Sequence, residues 1–134
     1  MNFVEIENKD GFYAGVSLVD TISQTAANYG IFFIALKPCE VMEIREIHGT
    51  ASTSGTVTVE KLTGTTAKGS GTTISNAIST ASTANTVQTA TLTKSASQLS
   101  VGDRLAIKSG GTLTNGKDLQ ITVYLKPLGK GDYR

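Results

Sequence analysis

A chain of 134 residues with 39% hydrophobic content is the size of one domain and can close a core without a disulfide or metal staple. Its formal net charge of +1 gives no electrostatic case for nucleic acid as a partner. One cysteine excludes an intrachain disulfide, and one histidine beside it is too few for a zinc site.

Ser and Thr make up about a quarter of the chain, and charged residues only 17%. Threonine is β-branched and favours strands, whereas stretches rich in Ala, Leu, Glu and Lys, which favour helices, are missing. The composition therefore predicts an all-β domain. Charge is uneven along the chain: residues 1–67 carry a net −4 and residues 68–134 a net +5. In a sandwich the two halves interleave, so the asymmetry reads as a solvated surface, or as faces that pair between subunits.

In chain order, residues 1–20 read as an extended N-terminal arm. Phe3, Val4 and Ile6 are interspersed with acids, Asp10-Gly11 signals a turn, and Phe12 to Val16 suit a short strand. There is no basic start followed by an apolar run, so no export signal is expected, and no stretch reaches the ~20 apolar residues of a membrane span. Asp20 to Gln24 suits a helix start or an ordered loop. Tyr29 to Lys37 is the most apolar run. Ile31, Phe33 and Ala35 fall on one face, Phe32, Ile34 and Leu36 on the other, so both faces need covering, by the arm or by a second subunit.

Val41 to His48 reads as a strand with a bulge, and Cys39, next to Pro38, as a small core or strand-end residue. Thr56 to Leu62 alternates, with Val57 and Val59 inward. A Gly/Thr loop follows over 64–73, then a small polar stretch over 74–86 anchored by Ile74 and Ile78. Val87 to Leu92 is a strand. Leu99 to Asp103 is a turn, with Asp103 capping it, into Arg104 to Lys108 with Leu105 and Ile107 inward. Leu119, Ile121, Val123 and Leu125 alternate with polar residues in the clearest strand, which Pro127 ends. The boundaries are 1–20 arm, 21–127 sandwich and 128–134 tail. The fold class is a jelly-roll-type antiparallel β-sandwich of about eight strands with an extended N-terminal arm.

No constellation carries catalysis, so the chain is read as a non-enzyme without cofactor or metal. Jelly-roll enzymes of the cupin type need several histidines, and here His48 reads as a polar strand-end residue. Glu43 and Glu46 fall on opposite faces of a regular strand and read as solvated, not as a glycosidase pair. Gly64 to Ser70 has the glycine spacing of a phosphate loop but lacks the lysine after the second glycine and a following helix. Lys130-Gly131-Asp132 matches a short adhesion tripeptide that carries little information.

One longer pattern remains. It runs from Thr56-Val57-Thr58-Val59-Glu60 through Ala84-Asn85-Thr86-Val87-Gln88 and Leu99-Ser100-Val101-Gly102-Asp103-Arg104-Leu105. It then passes Gly110-Gly111-Thr112 and closes on Leu119 to Pro127, spanning about two-thirds of the chain. In this order the segment resembles the jelly-roll decoration, or cement, proteins of tailed phages. The resemblance implies a structural virion protein, made in the host cytoplasm, that binds the capsid exterior and strengthens it. Its partners would be the major capsid protein and copies of itself, a trimer slightly ahead of a dimer, with no nucleic acid and no membrane. Phe3, Phe12 and Tyr13 are the expected capsid contacts, since buried aromatics dominate interface energetics. Phe32 and Ile34 are the expected subunit contacts. A tail-fibre or receptor-binding domain and a carbohydrate-binding module are the alternatives.

Overall fold

The computed structural model describes residues 11–21 and 30–129. Within them two antiparallel sheets pack face to face as a β-sandwich. The first sheet runs β1 (Phe12–Thr21), β10 (Lys117–Pro127), β3 (Cys39–Ile47) and β7 (Gln88–Thr89), with β8 (Gln98–Leu99) also on β3. The second runs β2 (Ile31–Ile34), β9 (Arg104–Gly110), β4 (Thr56–Leu62) and β5 (Thr72–Thr73), with β6 (Ile78–Ser79) also on β4. Four of the ten strands, β5 to β8, are two residues long, which is why counting alternating runs gave about eight.

The central strand of the first sheet is the one the sequence spelled most clearly. Leu119, Ile121, Val123 and Leu125 of β10 are buried, and the residues between them stay half-buried on the outer face. Opposite them lie Val41 and Ile44 of β3. The expected bulge is there: Tyr124 pairs with Glu43 but Leu125 with Val41, so Met42 is skipped. That one extra residue flips the inward set of the strand. Val41 faces in before it; Ile44, Glu46 and His48 face in after it.

In the second sheet Val57 and Val59 face the core, as the alternation required, opposite Ser109 and Ile107. The other face of β4 and β9 is not simply wet. Glu60, Leu62 and Ala106 are fully buried there, under the 63–71 loop. Glu60 holds that loop: its two carboxylate oxygens accept the backbone N–H groups of Gly69 at 2.7 Å and Gly71 at 2.8 Å. Arg104 closes the other side by donating to the carbonyls of Gly64 and Thr66, both at 3.0 Å. Gly71 has to be a glycine. A Cβ there would lie 2.5 Å from the Lys61 carbonyl oxygen and 2.6 Å from Leu62. The supposed phosphate-loop look-alike is thus a lid tied down by a carboxylate.

Two expectations change. The arm expected over residues 1–20 is, from Phe12 onward, β1, paired with β10 from Phe12↔Leu125 to Leu18↔Leu119. The short strand expected over Phe12 to Val16 is part of it, and weak alternation hid only its full length, since Ala14 and Gly15 present too little side chain to mark a face. Glu46 is buried, not solvated. His48 does stand at the end of β3 as the polar residue expected there, and it is fully buried. Residues 22–24 of the possible helix start lie outside the described residues, as do Phe3 and the tripeptide Lys130–Asp132.

Candidate functional site

Among the described residues both sheets end, on one flank, in a strand with a single partner: β1 in the first and β2 in the second. From Phe12 to Val19 the β1 sequence has no charge and no proline, the two devices that usually blunt an open edge. Phe12 pairs with the buried Leu125, so its ring turns toward the core side, where it meets Phe33 of β2 at 5.9 Å between centroids. This contact closes the seam between the sheets.

The strand β2 is irregular. Ile31 pairs with Ala106 and Phe33 with Leu105, so one residue is skipped between them. The strict two-face alternation therefore breaks. Ile31 and Ile34 both lie on the outer face with Ala106 and Arg104, while Phe32 and Phe33 pack partly against the core. Ile31 is 44% exposed, Ile34 56% and Leu36 83%. With Phe32, Phe33 and Arg104 they line an open apolar hollow. A second hollow beside it is walled by Phe12, Leu36, Pro38, Cys39 and Pro127. Lone exposed apolar residues are ordinary, but a contiguous run of them marks a contact surface.

Of the residues expected at interfaces, the structure brings Phe12, Phe32 and Ile34 to this flank and sends Tyr13 elsewhere. Tyr13 faces outward from the first sheet, 73% exposed, with its ring 5.0 Å from that of Tyr124. Glu43 and Arg45, paired with each other at 2.8 Å, complete a shallow polar hollow around the two tyrosines. The sequence missed Leu36 and Ile31 as surface residues, because an apolar run reads as core until a bulge re-aims it.

The buried polar groups form a second cluster, at the end of β3. His48 Nδ1 lies 2.7 Å from Glu46 Oε2, and both side chains are inaccessible to solvent. His48 Nε2 meets the Ser82 carbonyl oxygen at 2.9 Å. Gln88 Nε2 donates to Glu46 Oε1 and to the Ser79 carbonyl, both at 2.7 Å. Burial by itself would lower the His48 pKa. The Ser82 carbonyl and the Glu46 carboxylate outweigh it and raise the pKa above the ordinary histidine value.

Cys39 is 1% exposed, and burial, with the charge of Asp103 behind it, pushes its thiol up to about 11. It is a packed thiol, far from thiolate character at neutral pH. Among the described residues no group of three or more His, Cys, Asp or Glu side chains could hold a metal ion, and no helix is long and apolar enough to cross a membrane. No family model, curated protein or solved structure matches the chain.

Proposed function

We propose that this chain is a non-catalytic structural protein that decorates the outside of a tailed-phage capsid and reinforces it, binding through its β1/β2 flank. One observation carries the contact half of this reading. Ile31, Ile34 and Leu36 stand exposed together beside the Phe12–Phe33 seam and two strands that have one partner each among the described residues. The capsid half rests on the resemblance of the segment from Thr56 to Pro127. The nested strand order supports a jelly roll: β1 beside β10, β2 beside β9, and β3 and β4 each one strand further in. The partners are the major capsid protein and further copies of the chain, assembled as a trimer rather than a dimer.

The test is copy number. The protein is quantified against the major capsid protein in purified particles. Comparable abundance is the expected result; a handful of copies per particle would make it a fibre or receptor-binding component, and absence would remove the virion reading. A double variant, Ile34→Asp with Leu36→Asp, addresses the flank. Both side chains are more than half exposed, so stability is expected to stay within about 0.5 kcal/mol. Capsid binding or self-association should weaken at least about tenfold, since each aliphatic side chain desolvated in a contact contributes on the order of 1–2 kcal/mol. Unchanged association in both assays would rule the flank out.

A second reading is favoured by Tyr13 and Tyr124, which put two adjacent rings beside Glu43 and Arg45 on the outer face of the first sheet. Exposed aromatic rings next to charged hydrogen-bonding groups suit a carbohydrate. Glycan binding by the isolated domain, lost on Tyr13→Ala, would favour it.

A further inference from the structure

The chain has a single histidine, and every one of its polar contacts lies inside the sandwich end. The Ser82 carbonyl can only accept, so Nε2 carries a hydrogen. The Glu46 oxygen facing Nδ1 accepts as a carboxylate, so a second proton must sit between ring and carboxyl. Remove it, and a ring lone pair faces a carboxylate lone pair at 2.7 Å with no water to separate them.

This proton is tied to one stretch of chain. Ser82 is held by the ring, the Gln88 amide donates to the far side of the Glu46 carboxylate and also to the Ser79 carbonyl, and the Asn85 N–H donates to the His48 carbonyl at 2.7 Å. Asn85 itself sits in the left-handed region at φ 58°, a conformation that favours Asn over most residues. The start of the loop is held independently of the pair: the buried Thr80 accepts from the Ser52 N–H at 2.8 Å, donates its N–H to the Gly55 carbonyl at 2.9 Å and shares a hydroxyl contact with Ser52 at 2.7 Å, so what the pair ties lies beyond Thr80. The loop's residues are small and polar, with Ile78 as the anchor at its start.

We propose that the Glu46–His48 pair is a proton-operated latch on the 82–88 segment, closed while a proton lies between the two side chains and released when that proton leaves. The surroundings leave the pair to itself. From β10, Ile121 lies opposite Glu46 and Gln120 opposite Ile47. From β7, Gln88 lies opposite Glu46. The charged groups at this end of β10 are Lys117 and Asp118, beside Gly49 and Thr50, and both are exposed. Glu43 and Arg45 pair with each other on the outer face of the sheet.

The direction follows from the raised pKa of the ring. The pair's contribution to stability is complete below the unfolded histidine value of ~6.5 and is lost as pH rises through the folded value. The latch thus opens on the alkaline side.

The experiment is an NMR titration of the full chain, following the ring signals of His48 together with the backbone amides of Ser82, Asn85 and Gln88. The expected result is one shared midpoint, above that of a free histidine, while the amides of Gly69 and Gly71, held by Glu60, stay still. Glu46→Gln is the control. A carboxamide can keep its oxygen for Gln88 and donate its N–H to a neutral Nδ1, so both rows of contacts survive without the extra proton. In that variant the His48 midpoint is expected to fall below the wild-type midpoint and the loop amides to stop following pH. Loop amides that ignore the His48 midpoint in the wild type would overturn the latch. So would loop amides that follow pH identically in Glu46→Gln. If the variant fails to fold, the wild-type comparison of loop and ring midpoints decides by itself.

Discussion

Replacing Glu60 with alanine is expected to cost about 3 kcal/mol of folding stability, read as a shift in the urea midpoint at constant slope. The carboxylate makes two charge-assisted hydrogen bonds to Gly69 and Gly71, and such bonds contribute roughly 1.5–3 kcal/mol each when a buried donor would otherwise be stranded. Water reaching the half-buried glycines recovers part of that loss, which is why the figure stays below the sum. The lid would also rise from Leu62 and Ala106, both inaccessible in the intact fold. Hydrogen exchange should therefore accelerate at Gly69 and Gly71 before it does in β4. Glu60→Gln is expected to fall between, because its NH₂ group would oppose one of the two glycine N–H groups. A change of less than about 0.5 kcal/mol in the alanine variant would mean that the 63–71 loop closes without its carboxylate.

The second large effect is expected from Leu105→Ala, again about 3 kcal/mol, in the usual range for truncating a buried leucine. Leu105 is fully buried, with Phe33 opposite on β2 and Lys61 opposite on β4. The cavity would open directly beneath the Phe12–Phe33 seam. Phe33 is only half-buried, and if its ring swings inward to fill the space the loss would be smaller. Because β2 has four residues and a bulge, its pairing should suffer first, and the flank should bind its partners less well than stability alone predicts. Val101→Ala, at a side chain 64% exposed, serves as the control and should be near neutral. If both variants melted alike, the seam would not depend on the packing beneath it.

What was legible in the sequence was the pattern of period two. Leu119 to Leu125 and Val57 to Val59 announced their strands and their faces, and both lie as expected. The bulge in β3 was also readable, because Met42, Ile44 and Ile47 cannot share one face of a regular strand. Its consequence was not. A polar residue reads as solvated unless something names its buried partner, and apart from the contact between Glu46 and His48 the partners of these two residues and Glu60 are backbone groups or a glutamine amide 9 to 42 residues away. Such partners leave no signature in composition or spacing. The flank was half legible. The apolar run 31–36 stood out, but a skipped residue in β2 decided which of its side chains face water.

The nested order of the strands also governs how the chain becomes a protein. The first strand finds its neighbour in β10, and the second in β9, so neither has a partner until most of the sequence has emerged from the ribosome. Until then the uncharged stretch from Phe12 and the apolar stretch from Ile31 wait unpaired. Closing such long loops before any contact rewards them makes folding slow, on the scale of milliseconds to seconds for β topologies of this kind. The same two segments proposed as a contact surface of the finished molecule are, in the nascent chain, an exposed aggregation hazard, and yield on overexpression should improve with slower synthesis.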